Sequence, residues 1–204
     1  MIGSRIRSHL DRLGGPVFRR IHGWGISPNA LTFVGLGINA VASMLLLAGH
    51  FTAAGLVMLG AGLFDVLDGG VARVRGSEGR FGAFLDSIVD RYSDLLLLMG
   101  VLLYYARLGQ VALVGLCCFA ILGTVMVPYA RARAECFLPK CSVGWMERPE
   151  RILLLAAGAL LHVMAWTIAL LILLTHVTVF QRVHYCWKQL SGGRQEAHDE
   201  GGQP

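Results

Sequence analysis

The 204-residue chain is 55% hydrophobic and only 15% charged, with a mean hydropathy of +0.59. Soluble domains carry about 25% charged residues, so this composition excludes an ordinary soluble protein and points to an all-α integral membrane protein. The length admits about six spans of roughly 20 residues, and the net charge of +5 collects at expected loop ends, where it signals topology and anionic lipid rather than nucleic acid.

Residues 1–26 open with Ile2, Ile6, Leu10, Leu13, Val17 and Ile21 at near-helical spacing, with arginines in the gaps. That pattern predicts an amphipathic interfacial helix, and it lacks the continuous apolar core of a cleavable signal peptide. A six-helix transmembrane domain is expected over 27–190. Ser27-Pro28-Asn29 starts the first span with a capping residue and a proline in the first turn. The apolar runs 31–47, 52–64, 81–106 and 111–129 follow, and then a polar loop over 131–151. Residues 152–180 are too long for one span and predict a tight hairpin breaking near 162–166. The tail, 191–204, is small and polar and is expected to be disordered. Of the 18 Lys and Arg residues, Arg107 alone falls in a loop of the opposite side. Six spans put the other basic regions on one face, which the positive-inside rule makes cytosolic.

Residues 65–90 carry the chemistry. Asp65 and Asp68 are three apart, and Asp86 and Asp90 four apart. On a helix each spacing sets both carboxylates on one face. An aspartate at mid-bilayer costs about 2.5–3.5 kcal/mol on insertion scales, so four approach roughly 10–14 kcal/mol by simple addition. Such a cluster has a use beyond packing. All-oxygen ligation suits a hard cation, Mg²⁺ or Mn²⁺, and four carboxylates suffice for two ions, which suit a substrate with bridging phosphate oxygens. Arg73, one turn from Gly69 and Gly70, is a candidate bidentate phosphate donor. The structural alternative is an ion-paired clamp of the aspartates with Arg73, Arg91 and Arg148. The five cysteines and scattered histidines form no metal spacing. The glycines at 35, 37, 55, 60, 100, 115 and 123 are expected at close helix contacts.

The pattern Asp65-x2-Asp68-Gly69-x2-Ala72-Arg73-x8-Gly82-x3-Asp86-x3-Asp90 resembles the signature of the CDP-alcohol phosphotransferase family at every fixed position. Pro28-Asn29-x2-Thr32 and the six-helix layout add to the resemblance. It implies a dimeric integral-membrane enzyme that displaces CMP from a CDP-linked lipid. Carried over, Asp65, Asp68, Asp86 and Asp90 bind two Mg²⁺ or Mn²⁺ ions per site, and Asp90 is also the general base. Asn29, Ala30, Leu31, Thr32, Gly69, Ala72, Arg73 and Gly79 bind the CDP-lipid. The segments around Tyr129-Ala-Arg131-Ala-Arg133-Ala-Glu135, Glu147-Arg148-Pro149-Glu150-Arg151 and Gln181-Arg182 further resemble the phosphatidylinositol phosphate synthases. This implies an acceptor-phosphate pocket of Arg131, Arg148, Arg151 and Arg182. The expected reaction joins CDP-diacylglycerol to inositol phosphate in phospholipid biosynthesis, with the site facing the cytosol at a prokaryotic inner membrane. Glycerol 3-phosphate is the alternative acceptor. A small ion or phosphate transporter is the alternative from another class, but it favours repeated halves broken near the midplane, whereas these acids occur once.

Overall fold

A computed structural model describes residues 28–62 and 80–200, with side chains over 29–30, 32–62 and 81–191. The expected interfacial helix at 1–26 lies outside the described residues, as do Asp65, Asp68, Gly69, Ala72, Arg73 and Gly79. The described residues form α-helices and no strand: α1 (Pro28–Leu47), α2 (Phe51–Gly62), α3 (Arg80–Arg107), α4 (Val111–Ala134), α5 (Arg148–Leu160) and α6 (Met164–Glu200). α1 packs on α3, α3 on α4, and α6 on both α4 and α5.

Three short turns gather at one end. At Gly49 (φ 84°) the amide donates to Leu46 O, and the next amide, of His50, donates to Leu45 O. Gly109 (φ 69°) repeats the pattern with Ala106 and Tyr105, and His162 (φ 56°) repeats it with Ala159 and Gly158. These are Schellman closures, which need a left-handed residue just past the helix. Glycine adopts it freely. His162 carries a side chain there, and its Nε2 lies 3.0 Å from Thr52 Oγ1 on α2. Phe51 stacks edge-on with Tyr104 and with His162, drawing the α1–α2, α3–α4 and α5–α6 turns together.

Between the ends the core is small and aliphatic, with Ala42, Leu46, Met58, Leu97, Ala156 and Ile168 buried at its centre. Small residues let backbones approach. A methyl on Gly100 would stand 2.5 Å from Ser43 O, and one on Gly55 would stand 3.1 Å from Ala156 O. The expectation of close contacts holds at these glycines and at Gly123, but not at Gly37, Gly60 or Gly115, which face open space within 4 Å. Helical period alone does not say which side of a span meets a neighbour. Phe33, Val41, Phe119, Leu122, Leu173 and Phe180 point outward, as lipid-facing side chains do.

The observed boundaries change three expectations. α4 runs on to Ala134 and α5 begins at Arg148 with Pro149 in its first turn, so Arg131, Arg133, Arg148 and Arg151 stand on helices rather than in a loop. Proline is tolerated in that first turn because its missing N–H has no partner there. The hairpin at 161–163 is present, but α5 has only 13 residues, about 20 Å of helix. By length and composition, α4 and residues Met164–Ser191 of α6 suffice to cross a membrane, while Thr32–Leu47 and Phe51–Gly62 are shorter apolar helices. Finally, α6 continues to Glu200 where an irregular tail was expected from residue 191. Extending an existing helix avoids the nucleation cost, and Arg194, Gln195, Glu196 and Ala197 are good helix formers that offset Gly192 and Gly193.

Candidate active site

The opposite end of the bundle carries the charged residues. α3 starts there beside α1: a methyl on Gly82 would lie 3.7 Å from Asn29 Oδ1. The expected nucleotide-lipid residues of the α1 start thus lie next to the glycine one turn before Asp86. Ala30 is exposed and Thr32 half-buried.

Asp86 and Asp90 follow on successive turns of α3, Asp86 exposed and Asp90 half-buried. Asp90 Oδ1 is 3.0 Å from Arg148 Nη1, and its Oδ2 is 3.8 Å from Arg91 Nη1. Part of the ion-paired clamp considered from the sequence therefore exists, and it joins α3 to the first turn of α5. Arg91 Nη1 also donates to Ser87 O at 2.7 Å. Among the described residues no group of three or more His, Cys, Asp or Glu forms a metal cluster. The donors that are described, two carboxylates one turn apart, have the hard-oxygen chemistry that Mg²⁺ or Mn²⁺ requires, so they fit such an ion.

The next turn of α3 brings Asp94, which sequence reasoning missed. It is buried, and its Oδ2 accepts from Arg151 Nη2 at 2.5 Å. Its Oδ1 lies 3.9 Å from Arg148 Nε. Arg151 also donates from Nη1 to Met146 O at 3.2 Å. Its guanidinium thus faces Asp94 and the backbone. Removing one partner of such a buried pair costs about 3–5 kcal/mol. The signal was available: Asp94 extends the four-residue spacing of Asp86 and Asp90, and Arg151 stands one turn from Arg148.

A second cluster joins α4, the 135–147 loop and α6. Arg182, 2% exposed, donates to Val127 O at 2.5 Å and to Val143 O at 2.8 Å. Its Nη2 lies 3.8 Å from Glu147 Oε1, which also accepts from Arg131 Nη1 at 3.4 Å. Thr178 Oγ1 accepts from Met146 N, and Gly144 (φ 128°) leaves room for Thr178 and Arg182. Glu135 completes the cluster. It accepts from Arg131 Nε at 3.0 Å and from Cys141 N at 3.3 Å.

The Arg131 hydrogen bond is the largest of the influences that hold the Glu135 carboxyl below its ordinary 4.5. A lowered folded value means that the contribution is present above pH 4.5 and lost as pH falls through that value. Wild type is therefore expected to melt above Glu135→Gln at pH 7, with the gap closing below pH 4.5. The gap is small, because the pair is exposed. Thermal melts across that range measure it, and a gap independent of pH would remove the assignment.

The geometry thus sets the inner carboxylates of α3 against Arg148 and Arg151 of α5, with a second cluster of Arg131 and Arg182 around Glu147. A model of CDP-alcohol phosphatidyltransferases matches residues 25–181. The chain belongs to this family. The family is membrane-bound, and the apolar α4 and α6 accord with that. An archaetidylinositol phosphate synthase of Pyrococcus horikoshii is 32% identical, covering 94% of this chain and 98% of its own. The phosphatidylinositol phosphate synthase of Mycobacteroides abscessus is 32% identical over 90% of this chain and 88% of its own. Among solved structures, the Mycobacterium tuberculosis phosphatidylinositol phosphate synthase with CDP-DAG bound matches with a TM-score of 0.80 at 30% identity. That match covers 86% of this chain and 94% of the other. The same enzyme in complex with manganese and citrate matches with a TM-score of 0.77 at 30% identity, over 85% and 88% of the two chains.

Proposed function

We propose that this family member is a phosphatidylinositol phosphate synthase, transferring the phosphatidyl group of CDP-diacylglycerol to inositol phosphate and releasing CMP. The observation that carries this reading is the 3.0 Å approach of Arg148 to Asp90. An arginine that grips the acceptor's phosphate beside the carboxylate brings the acceptor's hydroxyl to the group that can deprotonate it. The names of the relatives, phosphatidylinositol and archaetidylinositol phosphate synthases, support the same acceptor.

In this reading the α1 start and the 69–79 segment hold the donor. Arg131, Arg148 and Arg182 hold the acceptor phosphate, Arg182 through the Nη2 that faces Glu147. A carboxylate oxygen of Asp90 takes the proton of the acceptor hydroxyl as the hydroxyl oxygen attacks the phosphorus bearing the diacylglycerol. The bond from this phosphorus to the oxygen bridging to CMP breaks, and CMP leaves with the electron pair. Asp65, Asp68, Asp86 and Asp90 would hold two Mg²⁺ or Mn²⁺ ions, which when bound neutralise the diphosphate and the charge on departing CMP. The wider setting is a homodimer with six spans over 27–190, an interfacial helix at 1–26, and a site facing the cytosol. Those spans leave the basic regions on one side.

CMP release from the purified protein tests the reading, with CDP-diacylglycerol, Mg²⁺ and one acceptor at a time: inositol phosphate, glycerol 3-phosphate, inositol or serine. Release is expected with inositol phosphate, abolished by EDTA and restored by Mg²⁺ or Mn²⁺. Release with glycerol 3-phosphate alone would overturn the acceptor and keep the reaction type. Release undiminished by EDTA would overturn the metal assignment.

A further inference from the structure

We infer that Asp94 is a positioning residue for Arg148, an assignment that rests on the function proposed above. Asp86, Asp90 and Asp94 occupy three successive turns of α3 and grow steadily less accessible. Asp86 is exposed, the Asp90 side chain is 19% exposed and that of Asp94 only 6%. The outer two can meet a substrate, whereas Asp94 meets arginines. Arg148 lies between the inner carboxylates, with Nη1 at 3.0 Å from Asp90 Oδ1 and Nε at 3.9 Å from Asp94 Oδ1. Asp94 is itself anchored by Arg151, one turn further along α5. The order Asp90, Arg148, Asp94, Arg151 alternates in sign, so each charge has an opposite neighbour where water is scarce.

An arginine surrenders rotamer freedom when it grips a phosphate. One already drawn between two carboxylates, at 3.0 Å from Asp90 and 3.9 Å from Asp94, surrenders less, and this raises affinity for the group it grips. The second anchor, from Arg151 to Met146 O, ties the arrangement to the start of α5. Asp94 therefore acts on the acceptor through Arg148, without touching it.

The test uses the full-length protein and the acceptor that wild type turns over. Two variants are compared, Asp94→Asn and Asp94→Asn with Arg151→Gln. The second removes both buried charges together, so that neither is left alone. In both, KM for the acceptor is expected to rise about tenfold, equivalent to about 1.4 kcal/mol. KM for the CDP-lipid is expected to change less than about twofold. Adding Asp94→Asn to Arg148→Lys is expected to raise the acceptor KM no further than Arg148→Lys alone, because both act through one side chain. A double-charge variant that melts like wild type with an unchanged acceptor KM overturns the inference. So does an equal loss for both substrates, or independent multiplication of the Asp94 and Arg148 effects. Failure of wild type to use inositol phosphate would instead remove the proposed acceptor. The ratio of variant to wild type, with the acceptor that does work, still decides Asp94.

Discussion

Asp90→Asn is expected to lower CMP release about a thousandfold or more, within the range of 10²–10⁴ typical of a lost general base and with a cation ligand weakened besides. Asparagine has nearly the same shape and keeps an oxygen that can accept from Arg148, so the link between α3 and α5 has a neutral substitute at the 3.0 Å position. The amide cannot take the acceptor's proton. Nor can it supply the charge that a hard cation prefers over a neutral oxygen. Loss of activity should therefore exceed loss of stability. Single-turnover CMP release, measured beside a thermal melt, separates the two. A variant that keeps a tenth of wild-type turnover would remove Asp90 as the base.

Arg182→Gln is expected to cost about 3 kcal/mol of stability, since each buried group left unsatisfied costs about 1–3 kcal/mol. Val127 O and Val143 O both take their hydrogen bonds from this side chain, which is 2% exposed. Glutamine is too short to reach α4 and the 135–147 loop together. The loop positions Glu147, so its loosening also reaches Arg131. On the proposed reading the acceptor KM rises about tenfold or more, as a charge-assisted contact is worth about 1.5–3 kcal/mol. Arg182→Lys separates the effects: it keeps the charge but loses the planar fork, so the acceptor KM should recover further than the melting temperature. A glutamine variant as stable as wild type would show that the two carbonyls do not depend on Arg182.

The membrane character, the helical class and the placing of Asp86 and Asp90 on one face of α3 were legible without coordinates. They depend on local quantities: composition, the length of apolar runs and a spacing of four along one helix. The break at 161–163 was legible for the same reason, because a run of that length must turn. Side-chain meetings across helices were not legible. Arg148 and Arg151 look equivalent in the sequence, yet one approaches Asp90 while the other is buried against Asp94. Arg182 reads as one more basic residue at a helix end, and only the packing of α4 on α6, closed by the 135–147 loop, buries it. Glu147 stands between Arg131 and Arg182 for the same reason. A charge's partner is set by which helices pack and in what register, and that information lies in contacts between residues far apart in the chain. The sequence by itself determined the helical class and the four-residue spacing that sets Asp86 and Asp90 on successive turns of one helix. The tertiary structure decided which arginine each carboxylate meets, because packing fixes the distances between helices and helical period fixes only those within one.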